Sequence, residues 1–191
     1  MKKFTSIITL MLIAAMAFTF TSCEDEYIAD NLSGGTFYGK TWQGTIRQYY
    51  HDRWGLTGNH YRTVMQFNGE GYTSGTGYEV DYDLDDPYGS YYYCEFDWSV
   101  YGGTITIRYA DTYYDPVYIY DYSLSSNYFE GYFDDGTASD ISFRLHAINN
   151  FDWDPYWYDY DYYDYYYYAK PQTRAAGDSK LKTAAKGAFA K

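Results

Sequence analysis

The chain has 191 residues, of which 46% are hydrophobic and 24% aromatic, with 30 tyrosines and a formal net charge of −12. That length is enough for one domain with extensions. The acidic excess repels phosphate backbones and argues against nucleic acid as a partner, and two cysteines, Cys23 and Cys94, are too few for a disulfide framework.

Residues 1–22 carry Lys2 and Lys3, an apolar run from Ile7 to Phe20, and small polar residues leading to Cys23. This is the pattern of a secretory signal, with an apolar run short for a membrane span. Thr21-Ser22-Cys23 resembles the lipobox of bacterial lipoproteins, with Phe20 where Leu is usual. The resemblance implies a lipidated Cys23 as first residue of the mature chain. Loss of Lys2 and Lys3 then takes the formal charge from −12 to −14. Each buried CH₂ of an attached palmitate-type acyl chain holds the membrane by about 0.8 kcal/mol, and two or more chains anchor stably. Glu24, Asp25 and Glu26 resemble the export signal that some Gram-negative bacteria place after the lipidated cysteine, a solvated acidic spacer being the alternative. The expected location is the outer membrane, lipid-anchored, at the cell surface if the acidic cluster acts as that signal.

Residues 23–35, ending in Ser33-Gly34-Gly35, read as a flexible acidic tether. The first strand follows, with Trp42, Gly44 and Ile46 on one face and Thr41, Gln43, Thr45 and Arg47 on the other. Residues 51–60 read as a loop bracketed by His51 and His60. In the second strand Tyr61, Thr63, Met65 and Phe67 share a face, and Asn68-Gly69-Glu70-Gly71 is a turn. Residues 72–80 form a weaker strand, where Gly75 and Gly77 permit the sheet to curl.

After a loop containing Asp81, Asp83, Asp85 and Pro87 comes the clearest hairpin of the chain. Cys94, Phe96, Trp98 and Val100 alternate with polar residues, Gly102-Gly103 turns, and Ile105, Ile107 and Tyr109 alternate again. Cys94, on the apolar face, reads as a small buried residue rather than a nucleophile. The sixth strand spans Val117 to Leu124, the seventh carries Phe129, Gly131 and Phe133, Asp135-Gly136 turns, and the last presents Ile141, Phe143, Leu145 and Ala147 on one face. Short turns and the absence of intervening helical periodicity predict an all-β, eight-stranded antiparallel up-and-down barrel over residues 36–148, able to fold alone. Gly39-Lys40-Thr41-Trp42, and Phe96-Asp97-Trp98-Ser99-Val100 followed by Gly102-Gly103-Thr104-Ile105-Thr106-Ile107, resemble the lipocalin-like domains of bacterial lipoproteins. That resemblance implies a small barrel or strongly curled sheet and no particular ligand.

Residues 149–169 include FDWDPYWYDYDYYDYYYY, with nine tyrosines, two tryptophans and five aspartates. This low-complexity stretch reads as either a disordered linker or a sticky aromatic platform with Trp153, Tyr156, Trp157 and Tyr158 as contact residues. Residues 170–191, with six basic residues and one acidic, read as a mobile tail, so the carboxyl end is expected to be disordered or extended.

The motifs point to no catalysis. There is no GxSxG elbow, phosphate-cradling loop, dinucleotide fingerprint or HExxH pair, so no cofactor is expected. Asp81, Asp83 and Asp85 begin like a calcium loop, but Asp86 stands where glycine is needed and Tyr92 where the closing glutamate belongs, leaving only a weak metal candidate. Surplus aromatics direct attention to binding. Trp42, Tyr49, Trp54, Trp98, Tyr113 and Tyr114 are the ligand-binding candidates, at the barrel mouth or on an aromatic outer face. The expected function is a non-catalytic, membrane-anchored envelope protein that captures a small molecule, glycan or peptide. The alternative is a structural or adhesive surface lipoprotein with a filled barrel and a sticky tail.

Overall fold

The computed structural model describes residues 23–53, 55–84, 91–110, 115–137, 140–156 and 181–183. The first described element is a helix, α1 (residues 23–33), where a flexible tether was expected. Strands follow at β1 (Gly39–Asp52), β2 (Gly55–Gly69), β3 (Ser74–Asp83), β4 (Tyr91–Tyr101), β5 (Thr104–Tyr109), β6 (Val117–Ile119), β7 (Tyr122–Leu124), β8 (Tyr128–Phe133), β9 (Asp140–Ile148) and β10 (Leu181–Thr183). The first nine form an antiparallel, nearly closed barrel in the order β6-β5-β4-β3-β2-β1-β9-β8-β7. This is the all-β architecture expected, with nine strands where eight were read.

The extra strand comes from a change of phase. Val117 and Ile119 are buried while Tyr118 and Tyr120 are exposed, yet beyond the break Tyr122 and Leu124 pack on the core and Ser123 is exposed. Inward positions pass from odd to even, which a regular strand cannot do without an extra residue. The predicted strand Val117–Leu124 therefore breaks at Tyr120-Asp121. Its first half pairs with β5 and its second with β8. Paired backbone bonds between Tyr118 and Asp134, 2.9 and 2.8 Å, draw the seam together.

Two further boundaries differ from the sequence reading. Residues 51–60 are no simple loop, because β1 and β2 pair without interruption from Gly39↔Asn68 to Asp52↔Gly55. Pairing to β9 stops at Tyr49 and pairing to β3 at Tyr61, so the tip of this hairpin projects as a two-stranded arm. Strand β3 likewise runs on to Asp83, carrying Asp81 and Asp83 out of the expected loop and into the barrel wall.

The barrel axis is filled by its own side chains. Trp42, Ile46, Met65, Phe67, Phe96, Trp98, Ile105, Ile107, Phe129, Phe143 and Leu145 are buried in one cluster. Edge-on ring pairs, Phe67–Phe96 at 5.2 Å, Trp42–Phe129 at 5.7 Å and Phe129–Phe143 at 4.7 Å, interlock them. The glycines at 75 and 77 make this possible: a Cβ on Gly77 would lie 2.3 Å from the Phe96 ring. The Gly102-Gly103 turn has φ of 57° and 77°, the left-handed pair that a two-residue hairpin requires.

One end of the barrel is shut by α1. Ala29 and Leu32 enter the core, and Trp42 Nε1 donates to the Leu32 carbonyl at 2.8 Å. The Asp25 carboxylate accepts from the backbone N–H groups of Gly102 and Gly103 at 2.9 and 2.8 Å, pinning the helix to the β4–β5 turn. The Lys40 ammonium donates to the Asn31 carbonyl at 2.7 Å and lies 4.4 Å from the centre of the Trp42 ring. Among the described residues no helix is long and apolar enough to cross a membrane.

A second cluster lies on the outside. Val64, Val80 and Tyr93 face outward from β2, β3 and β4 and are covered by Trp153, with Phe151, Tyr156, Tyr78, Tyr82 and Tyr91 around them. Trp153 Nε1 donates to Gln66 Oε1 at 2.7 Å, and the Tyr82 and Tyr156 hydroxyls are hydrogen-bonded to each other. Residues 151–156 thus dock on the barrel wall, with a single helical turn at 154–156. Further along, Leu181–Thr183 pairs in parallel with Tyr91–Tyr93, the part of β4 that extends beyond β5.

Candidate functional site

Two places in the barrel collect chemistry that the core does not need. The first is a groove of about 540 Å³ on the outer face of β1, β9, β8 and β7. Outward residues of the four strands line it: Arg47 from β1, Ser142 and Arg144 from β9, Glu130 and Tyr132 from β8, and Asp121 and Ser123 at the bend and β7. Arg144 Nε bonds Glu130 Oε2 at 3.2 Å, and the Tyr128 hydroxyl donates to the same carboxylate oxygen. The exposed ring of Tyr132 stands beside them. Two guanidinium groups, two carboxylates and several hydroxyls in one depression can make paired hydrogen bonds with a polar ligand.

The second is an acidic cluster inside the barrel, away from the end that α1 covers. Glu79 and Asp81 are both fully buried on the inward face of β3. Thr63 Oγ1 donates to Asp81 Oδ1 at 2.6 Å, and the Tyr109 hydroxyl donates to Glu79 Oε2 at 2.7 Å. Cys94 Sγ stands 4.0 Å from the same Glu79 oxygen, and Glu79 Oε1 has no hydrogen-bond partner. Burial, reinforced by the Asp81 charge, pushes the Glu79 carboxyl well above the usual carboxylate range, while the Tyr109 hydrogen bond pulls it back in part. Burial first, and the Glu79 charge second, push the Cys94 thiol and the Tyr109 hydroxyl up. Tyr61 is pushed up to about 12, again chiefly by burial, with Asp83, Tyr92 and Asp81 adding to it. Burial therefore favours the protonated carboxyl at Glu79 and the neutral thiol and phenol beside it.

The predicted site residues scatter. Trp42 and Trp98 are buried in the core: Trp42 Nε1 donates to the Leu32 carbonyl, and Trp98 Nε1 donates to the Asn68 and Thr76 carbonyls at 3.1 and 3.0 Å. Tyr49 lies half-buried on the outer face of the hairpin arm, its ring edge-on to His60 at 6.0 Å. Trp54, Tyr113 and Tyr114 lie outside the described residues, as do Trp157 and Tyr158. Trp153 and Tyr156, read as contacts for a partner, are turned onto the chain's own barrel. Cys23 is exposed at the first residue of α1, and Cys94 is buried as read.

Of the weak metal candidates, Asp81 is buried against Thr63, Asp83 ends β3, and Asp85 is outside the described residues. Among the described residues no group of three His, Cys, Asp or Glu side chains is arranged to hold a metal ion. Sequence reasoning missed Glu79, Tyr109 and the groove residues. In Tyr78-Glu79-Val80-Asp81-Tyr82 the apolar positions face outward, because residues 151–156 cover them, and the acids face inward. The signal for this inversion was the apolar remainder after Ile148, which needed a surface to lie on.

Neither a scan of protein-family models nor a search of curated proteins finds a match to this chain.

Proposed function

We propose that this chain is a lipid-anchored binding protein of the cell envelope that acts without catalysis, holding a hydroxyl-rich small molecule or glycan on the outer face of its barrel. The observation that carries the reading is the groove between β1 and β7, where Arg47, Arg144, Glu130, Asp121 and the Tyr132 ring converge while the barrel axis is taken up by its own aromatic side chains. Its volume of about 540 Å³ suits one or two sugar rings. Guanidinium and carboxylate groups pair with neighbouring hydroxyls, and an exposed tyrosine face packs on the apolar face of a sugar ring. The anchor rests on the leader ending in Thr21-Ser22-Cys23 and on the exposure of Cys23.

The test is native mass spectrometry of the chain from Cys23 to Lys191, purified without denaturant, followed by titration with a panel of neutral and acidic oligosaccharides. Retained or titrated ligand that is lost in both Arg144→Ala and Tyr132→Ala, with unchanged circular dichroism, supports the groove. Ligand held equally well by both variants places recognition elsewhere. A chain that binds no member of the panel refutes the glycan reading. The anchor has its own test: Cys23→Ser releases the protein from the membrane fraction, and the native form carries the added mass of acyl chains.

A further inference from the structure

Among the described residues, five of the exposed aromatic side chains stand at the end of the barrel that α1 closes. Tyr27 projects from α1, Phe37 and Tyr38 from the link into β1, Tyr72 from the β2–β3 turn and Tyr101 from the β4–β5 turn. Phe37 is 86% exposed and Tyr101 87%. These segments are fastened to one another. The Phe37 N–H donates to the Gly69 carbonyl at 2.7 Å, the Val100 N–H to the Thr73 carbonyl at 2.8 Å, and Asp25 holds Gly102 and Gly103. The five rings therefore stand on segments fastened into one frame, a collar at the closed end.

The collar is maintained at a cost. Phe37 has φ of 66°, in the left-handed region that disfavours any residue with a Cβ by about 1–2 kcal/mol. A glycine would remove that strain, and a polar residue would remove the exposed ring. Instead the backbone holds a large apolar side chain outward, an outlier of the kind found where a contact is made.

What covers the collar follows from where the chain enters it. Cys23, two residues before the Asp25 clamp, opens α1 at this same end, and the apolar run Ile7–Phe20 precedes it in sequence. We infer that the closed end of the barrel rests on a lipid bilayer, the collar of Tyr27, Phe37, Tyr38, Tyr72 and Tyr101 entering the headgroup layer around the Cys23 attachment point. This rests on the anchored reading above. Tyrosine rings suit that depth because the ring sits among acyl chains and glycerol while the hydroxyl stays wet. Glu24, Glu26, Asp30 and Glu70 belong to the same segments, and Lys40 is turned inward onto Asn31 and Trp42, so the surface fits zwitterionic headgroups and is repelled by anionic ones. Each ring contributes little alone; attachment at Cys23 supplies the high local concentration that makes the sum effective.

Because Cys23 is exposed and Cys94 buried, maleimide chemistry attaches the chain at one place. The Cys23–Lys191 chain is coupled to phosphatidylcholine vesicles doped with a maleimide-headgroup lipid. Tyrosine nitration is then mapped by peptide mass spectrometry against the uncoupled chain. Tyr27, Tyr38, Tyr72 and Tyr101 are expected to lose nitration several-fold, while Tyr118 and Tyr132, exposed on the wall, keep theirs. The Phe37→Ser/Tyr101→Ser double variant, folded by circular dichroism, should restore nitration at Tyr27 and Tyr72. Equal reactivity of the two sets on coupled chains overturns the inference, as does equal protection of the collar in concentrated uncoupled chain, which would assign it to a second copy. Artificial coupling keeps this result separate from lipidation in cells, which fractionation of Cys23→Ser decides on its own.

Discussion

Raising the pH should destabilise this barrel first through Glu79, the buried Cys94 and Tyr109 adding to the loss only above their ordinary values of 9.0 and 10.0. Its side chain is fully buried, one oxygen takes the Tyr109 hydroxyl at 2.7 Å, and the other has no partner. The groups facing it are Asp81 from its own strand, Cys94 from β4 and Tyr109 from β5. In the unfolded chain Glu79 gives up its proton near 4.5; in the barrel, burial and the Asp81 charge hold that proton to well above this value. The folded state then binds more protons than the unfolded one in the interval between the two. The stability contributed is full below the unfolded value and is lost as pH rises through the folded one. One proton sets the limiting slope at about 1.4 kcal/mol per pH unit, a steep dependence against a domain stability of about 5–15 kcal/mol. The assay is urea unfolding in steps of pH from about 5 upward, comparing the wild type with Glu79→Gln. The amide keeps an acceptor for Tyr109 and carries no charge, so the variant's profile should lose that slope and cross above the wild type at alkaline pH. Parallel profiles in the two proteins would refute the reasoning.

Three other outcomes follow from the packing. Trp153→Ala removes the cover of Val64, Val80 and Tyr93 and the bond to Gln66, and should cost about 3 kcal/mol, read as a lower urea midpoint; a change within error would mean that residues 151–156 do not stay docked. Asp25→Ala leaves two turn N–H groups without their carboxylate and should cost about 1–3 kcal/mol, with faster hydrogen exchange in α1 before the barrel strands; exchange unchanged in α1 would show that the clamp is idle. A fragment of residues 36–148 lacks both α1 and the Trp153 cover. It should unfold at a lower temperature than residues 23–156, and equal melting would return the domain to the boundaries read from strand alternation alone.

The strands were readable where two conditions coincided: strict period two, and an apolar face that meets the barrel axis. Cys94 to Tyr109 satisfied both, and its Gly102-Gly103 turn has the left-handed backbone its composition implied. The reading weakened where the apolar face meets something else. In β3 the tyrosines and Val80 face out to residues 151–156, which hides an acidic interior behind an ordinary alternating strand. In residues 117–124 both faces are semi-apolar, and only the three-dimensional seam explains why the inward set switches at Tyr120-Asp121. The helix at 23–33 was masked by its charge: Glu24, Asp25 and Glu26 suggest a solvated spacer, whereas acidic residues also suit the first turn of a helix, and Ala29 and Leu32 supply the buried stripe. The groove needed four strands in register, with Arg47 and Arg144 about a hundred residues apart in sequence, so no local pattern announces it.

The two ends of the barrel differ in a way that gives the molecule an orientation. The end under α1 carries the aromatic collar and Cys23, while the opposite half contains Glu79, Asp81 and Asp83 and extends into the β1–β2 arm. Among the described residues, acids lie at both ends of the barrel, so those ends repel an anionic surface. On the anchored reading proposed above, ring contact at the collar would then fix the tilt of the barrel relative to Cys23. A barrel standing on its collar points the arm away from the lipid. It also turns the groove, which runs along the wall, sideways into solvent, where a ligand can reach Tyr132 and Arg144 without crossing the headgroup layer. Chains in which the collar is replaced by serine should therefore remain attached at Cys23 yet lose that fixed tilt, which fluorescence anisotropy of a probe on the arm would register as faster motion on vesicles. Unchanged anisotropy would mean that the tilt is set by something other than the rings.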